Sequence, residues 1–148
     1  MPSATFVIRL CAWDAARSEA CRIRELVFVH EQGVSPDLEM DEWDSRSDHA
    51  LAYAADGAAI GTGRLLPDGH IGRMAVLRDS RGLGAGAALL LALLEQARKR
   101  GHALARLNAQ IHAAGFYSRY GFAAEGTQFM EAGIAHIAMR RALKPDPG

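Results

Sequence analysis

Arg81-Gly82-Leu83-Gly84-Ala85-Gly86 sets three glycines at alternate positions beside one fixed cation. Without Cβ atoms at those positions, a backbone turn can close on a bulky anion. The apolar run Ile71–Leu77 before it reads as a strand, and the Ala/Leu segment Ala87–Ala97 after it as a helix. A helix starting there aims unpaired N–H groups and its positive dipole end at the turn. The Arg81 guanidinium suits a phosphate oxygen. The spacing predicts a pyrophosphate cradle. A Walker loop would need Lys and Ser/Thr where Ala87 and Ala88 follow Gly86. Gly82, Gly84 and Ala87 meet the loose dinucleotide pattern, but that fold opens its domain with the turn and ends its next strand in a carboxylate. Here the turn lies past mid-chain, and the next strand ends at Asn108-Ala109-Gln110.

The elements that must position this turn read as a mixed α/β order. Thr5–Leu10 is a strand, and Ala15–Val29 a helix capped by Asp14, with Ala16, Ala20, Ile23 and Val27 on one face. Glu31–Ser47 is a long acidic loop. Ala50–Ala55 and Ala58–Leu66 are strands joined at Asp56-Gly57, and Pro67-Asp68-Gly69 turns the chain into Ile71–Leu77. The helix after the glycine turn buries Gly86, Leu90, Leu93, Leu94 and Ala97 and stops before Gly101. Ala103–Ala109 is a strand, Ala113–Tyr120 a short helix ended by Gly121, and Ile134–Arg141 a last strand. Antiparallel strands followed by a β-α-β unit imply a mixed sheet with helices on both faces.

Composition narrows the partners. The 148 residues suffice for one domain with a real core, read as residues 1–143 followed by a disordered 144–148 tail. With 17 basic and 17 acidic residues, nothing points to nucleic acid or an anionic membrane. Cys11 and Cys21 form no metal-like pair and the histidines show no ligand spacing, so no metal site is expected. No leader or membrane-spanning run appears, and a cytoplasmic protein with reduced thiols is the expectation.

At this point the chain resembles the GNAT family of acyl-CoA-dependent N-acetyltransferases, from Phe6 to Leu143. The arginine–glycine turn matches that family's Arg/Gln-x-x-Gly-x-Gly/Ala loop. Gln110-x-x-Ala113-x-x-Phe116-Tyr117-x-x-Tyr120-Gly121-Phe122 matches its second motif, with glutamine where asparagine is usual. The small bacterial subgroup typified by ElaA and YjcF is matched at Arg24-x-x-Val27-Phe28-Val29-x-Glu31-Gln32, Glu39-x-Asp41-x-x-Asp44, Leu107-Asn108-Ala109-Gln110 and Glu131-x-Gly133-Ile134-x-His136-Ile137-x-Met139. The resemblance implies a mostly antiparallel mixed sheet of about six to seven strands that splays beside the Ile71–Leu77 strand. It implies an acetyl-CoA-dependent transfer to a primary amine of a small molecule or peptide, and a homodimer as a family habit. It places the coenzyme against Met74, Ala75, Val76, Arg81, Gly82, Leu83, Gly84, Ala85, Gly86, Ala87, Asn108, Gln110, Phe116 and Tyr120.

Three residues remain for the chemistry. Tyr117, a phenol protonated at neutral pH, can serve the leaving thiolate. Glu31 and His136 are alternative bases for the acceptor ammonium, through an ordered water. Glu31, just past a helix end, is expected to have a slightly raised pKa. His136 alternates with Ile134, Ala138 and Arg140, and either faces a cleft or satisfies a polar contact. The acidic residues Glu39, Asp41, Glu42, Asp44 and Asp48 read as solvated surface, as a field steering a cationic acceptor, or as a partner for Arg24; Arg64 and Arg73 are further partners. Two rival functions remain: a non-catalytic acyl-CoA binding or sensing module, and an acyltransferase like the acyl-homoserine-lactone synthases.

Overall fold

The computed structural model describes residues 6–36 and 40–144. Thr5, Glu39 and the tail beyond Lys144 lie outside them.

The strands β1 (Val7–Cys11), β2 (Asp48–Tyr53), β3 (Ala59–Leu65) and β4 (Ile71–Val76) pair antiparallel in that order. One face carries α2 (Ala85–Lys99), which buries Leu89, Leu90, Leu93, Leu94 and Ala97 against Ala50, Ala52 and Leu65. The helix comes very close to β3. A Cβ on Gly61 would stand 2.9 Å from Leu89, and one on Gly63 2.8 Å from Leu93. The opposite face carries α1 (Trp13–Arg24), which sets Ala16 and Ala20 on Leu51 and Ile23 on Ala59 and Ala75. Helices thus cover both faces.

A second antiparallel sheet runs in the order β5 (Leu104–Gln110), β7 (Ile134–Ala142), β6 (Ala123–Glu131). Between β5 and β6 lies the short helix α3 (Ala114–Arg119). Among the described residues one parallel bridge, His70–Arg106, joins the two sheets, with the Arg106 amide 3.2 Å from the Gly69 carbonyl. β4 and β5 leave that bridge in the same direction, and among the described residues no further backbone pairing joins them toward their C-terminal ends. The result is a wedge whose mouth lies where β4 hands over to the glycine turn and β5 ends at Gln110. The seven strands fit the expected count, though they form two sheets hinged at one bridge.

Several boundaries differ from the sequence reading. Helix α1 starts at Trp13, with Ala12 in the cap position and no side-chain cap, so Asp14 sits inside the first turn. The predicted Ala15–Val29 helix is α-helical to Arg24 and then π-helical over Glu25–Glu31. Glu31 is therefore its last residue rather than the first of a loop. Helix α2 begins at Ala85, so Ala85, Gly86 and Ala87 belong to its first turn.

Strand β6 was not expected from sequence. It is an exposed edge strand with a register shift between Glu125 and Phe129, so no buried alternation marks it.

Strand β4 carries an irregularity that matters for the wedge. Thr62 pairs with Ala75 and Arg64 with Gly72, so β4 holds one extra residue against β3. Arg73 sits there at φ 52°, an αL conformation seldom adopted by an arginine.

The acidic loop is structural. Asp44, only 2% exposed, accepts from Arg24 Nη1 at 3.0 and 3.1 Å and from Arg64 Nη1 at 2.9 Å. Asp41 takes Arg64 in a two-point contact at 2.7 and 2.9 Å, and Arg73 lies 3.4 Å from it. Of the readings offered for the loop, the partnership with Arg24 is seen for Asp44, and Asp41 pairs with Arg64 and Arg73. Asp44 thus neutralises two buried arginines, Arg24 and Arg64.

Candidate active site

The glycine turn follows β4 by way of a 3-10 turn, Arg78–Ser80. Gly82 and Gly84 have φ of 80° and 98°, both in the left-handed region that L side chains resist. Gly84 occupies the N-cap of α2, and the first intrahelical bond runs from Ala88 to its carbonyl at 3.0 Å. Among the described residues, no amide from Gly82 to Ala87 donates to a protein acceptor. A run of unspent N–H groups at the positive end of a 15-residue helix fits an anion, and glycines keep the approach open.

Arg81 is not an idle cation beside this turn. Its Nε donates to the Val76 carbonyl at 2.9 Å, and its two Nη atoms meet both Glu31 carboxylate oxygens at 2.5 and 2.6 Å. The pair has a chemical consequence. Hydrogen bonding to Arg81 holds the Glu31 carboxyl below the usual carboxylate range, and Glu31 raises Arg81 in return. The small upward shift expected from the helix end is overridden, because a bidentate guanidinium at contact outweighs a partial dipole charge.

The next residue, Gln32, reaches the other lip. Its side-chain nitrogen donates to Gln110 Oε1 at 3.2 Å, and the Gln110 nitrogen donates back to Gln32 Oε1 at 3.0 Å. Gln110 closes β5 directly opposite His136 of β7, which in turn lies opposite Phe129 of β6. His136 is 6% exposed and stacks on Phe129 at 6.0 Å. Its Nδ1 lies 2.7 Å from the Ile134 carbonyl, and its Nε2 3.5 Å from Glu131. Of the two sequence alternatives for His136, the polar contact is the one seen: one ring nitrogen is tied to backbone and the other lies near a carboxylate.

On the α2 face, Phe116, Tyr117, Tyr120 and Phe122 form one aromatic group, with Tyr117 edge-on to Phe116 at 5.1 Å and to Phe122 at 6.0 Å. A Cβ on Gly86 would stand 3.8 Å from the tip of Phe116, so this group abuts the start of α2. Burial pushes the Tyr117 phenol up to about 12. Its hydroxyl has no hydrogen-bond partner among the described residues. Met74 packs its sulfur over Gly63, and Asn108 is exposed on β5 opposite Ala138.

Glu31 also borders a cavity of about 540 Å3 lined by Leu26, Val27, Leu77, His30, Arg78 and Ser80 among others. Sequence reasoning quoted Gln32 in a pattern but gave it no role, and it passed over Phe129 and the Arg78–Ser80 wall. Gln32 and Gln110 lie 78 residues apart, and only a folded chain shows that they meet. Among the described residues no cluster of three or more His, Cys, Asp or Glu is placed to hold a metal, and no helix is long and apolar enough to cross a membrane.

Comparison with known proteins agrees with this arrangement. Residues 18–143 match the family described as acetyltransferase (GNAT) domain. YjcF of Bacillus subtilis, described as an uncharacterized N-acetyltransferase, is 35% identical over 83% of this chain and 90% of its own. The structure of an acyl-CoA N-acyltransferase from Pseudomonas aeruginosa superposes with a TM-score of 0.79 at 31% identity, covering 95% of this chain and all of that one, 100%. Escherichia coli ElaA gives 0.80 at 26% identity, covering 93% and 99%. A strand that leads into a turn of free amides, a neighbouring strand that parts from it, and a family match along nearly the whole length lead to one assignment: the chain is a GNAT acetyltransferase of the ElaA/YjcF-like subgroup.

Proposed function

We propose that the protein moves an acetyl group from acetyl-CoA to a primary amine of a small molecule or peptide, by direct attack in a ternary complex. The observation that carries this reading is the run of unspent amides from Gly82 to Ala87 at the mouth of the β4–β5 wedge. A diphosphate fits those donors, and acyl-CoA brings with it an activated thioester. The parted backbone of Met74, Ala75 and Val76 supports the pantetheine arm and the thioester oxygen. Preorganised donors at such an oxygen are worth roughly 3–4 kcal/mol each.

The remaining roles follow from chemistry. The acceptor ammonium gives a proton through water to His136 Nε2, which keeps its lone pair because Nδ1 donates to the Ile134 carbonyl. The amine nitrogen bonds to the acyl carbon, the carbon–sulfur bond breaks, and the proton that the nitrogen then sheds passes through water to the departing thiolate, leaving an amide and a free thiol. Tyr117 faces the departing sulfur. A phenol near 12 is a weaker acid than a thiol of about 8.5, so Tyr117 serves as a hydrogen-bond donor and full proton transfer runs uphill. Glu31, ionised against Arg81, does not act as the base in this state.

The test is thiol release from acetyl-CoA across an amine library, with coenzyme affinity measured by calorimetry. Release that depends on an added amine supports the reading. Tight coenzyme binding with no release across the library would favour a non-catalytic binding module.

A further inference from the structure

Glu31 and Gln32 are neighbours in the chain, yet they hold opposite lips of the wedge. Glu31 grips Arg81 beside the cradle, and Gln32 exchanges two amide hydrogen bonds with Gln110 at the end of β5. The segment leading to them is π-helical over seven residues, a form usually confined to single turns at functional sites. Within it only Val27 is buried. Val27 and the half-buried Phe28 pack on Ile23, Ala59 and Ala75, and the two polar contacts tie the segment's end to both lips.

We propose that Glu31 is an internal stand-in for the coenzyme diphosphate on Arg81, and that with Gln32 it forms a strap across the wedge that loosens when the cradle is loaded. This rests on the reading of the Gly82–Ala87 turn as the coenzyme site. Arg81 is the first residue of that turn, and its two Nη atoms are aimed at the Glu31 carboxylate. A diphosphate seated on the adjacent amides brings more negative charge to the same guanidinium and competes for it. As Arg81 turns to the diphosphate, the carboxylate loses its partner and the ion pair at this end of the strap weakens. The neutral Gln32–Gln110 contact then holds one lip alone. The freed carboxylate borders the cavity beside Leu26, His30 and Arg78, where it can take the ammonium of an acceptor. Loading of the donor and recognition of a cationic acceptor are coupled through one side chain.

Calorimetry with free coenzyme A on the wild type, Glu31→Gln, Arg81→Ala and the double variant tests this. Removing the competitor should tighten coenzyme binding about two- to fivefold, the scale of one exposed ion pair. The gain should vanish when Arg81 is already Ala, which a merely structural effect of Glu31 would not produce. Equal or weaker binding by Glu31→Gln, or the same gain without Arg81, overturns the strap and leaves the cradle standing. Failure of the folded wild type to bind coenzyme A overturns the cradle, and the strap with it. Glu31→Ala, at the same exposed position, serves as a second variant and should shift affinity in the same direction.

Discussion

The Nδ1 atom of His136 lies 2.7 Å from the carbonyl oxygen of Ile134, two residues back along the same strand. A carbonyl accepts and cannot donate, so Nδ1 carries the proton and Nε2 is the basic nitrogen. That nitrogen lies 3.5 Å from a Glu131 carboxylate oxygen. His136→Gln should lower kcat by roughly 10²-fold, the usual scale for a positioned base. Coenzyme affinity should stay unchanged in the variant, because the ring is proposed to act on the acceptor alone. An unchanged kcat in His136→Gln would sink the assignment.

Tyr117→Phe removes a hydroxyl that has no protein partner among the described residues, so the melting temperature should hardly move. Turnover should fall roughly 10–100-fold, the low end for acid–base assistance, because the phenol donates a hydrogen bond and does not ionise. With the phenol pushed up to about 12, no alkaline limb from Tyr117 is expected below about pH 10. Coenzyme affinity unchanged alongside reduced turnover is the signature to look for.

How much of this was legible beforehand depends on the range of each interaction. The strand, glycine turn and helix from Ile71 to Lys99 were, because they are contiguous. So was the alternation that sends Ala16, Ala20 and Ile23 inward on α1. Strand β6 was not, since an exposed edge has no apolar rhythm to read. The π-helical turn was also hidden, for its apolar spacing still looks helical. The Glu31–Arg81 and Gln32–Gln110 contacts join residues 50 and 78 apart, and no local pattern encodes them. The same holds for Arg24 and Asp44, where sequence offered a partnership as one choice of three.

Gly84 and Gly86 should answer differently to a methyl group. Gly84 has open space around its Cβ position but φ of 98°, so Gly84→Ala strains the backbone by about 1–2 kcal/mol and tilts the cradle amides. Gly86 lies in the helix with ordinary contacts at 3.8 and 3.9 Å, and Gly86→Ala should be neutral or up to about 1 kcal/mol stabilising. Denaturant midpoints and coenzyme titrations of both variants check this. Equal losses in the two would argue against a conformational role for Gly84.

Asp44→Asn should be among the most damaging single changes outside the wedge. It leaves Arg24, 0% exposed, and Arg64, 4% exposed, without their shared counter-charge. Breaking a buried pair from one side costs about 3–5 kcal/mol. Chemical denaturation measures it directly, and a loss below about 1 kcal/mol would show that water reaches the pair.

His49 gives the pH dependence of the fold. Burial holds its pKa below the usual histidine value, with Arg24 and Arg64 adding to the effect despite the 2.8 Å contact to the Asp44 carbonyl. A base whose pKa is lower folded than unfolded leaves the unfolded chain binding more protons below about pH 6.5. Stability should therefore fall on acidification from about pH 6.5, by at most about 1.4 kcal/mol per pH unit from this one ring. His49→Asn should flatten that slope. A slope that survives the substitution would assign it to other groups.

The additional residue in β4 lets one short stretch of chain serve two masters. Arg73, at φ 52°, reaches the Asp41 side, while its neighbour Met74 lays its sulfur over Gly63 beneath α2. A regular strand alternates its faces on a fixed beat, and this one skips a beat at the residues proposed to support the thioester. Excising Arg73 would restore the rhythm, with Met74 squarely opposite Gly63 and still beneath α2, at the cost of a tie to the acidic loop.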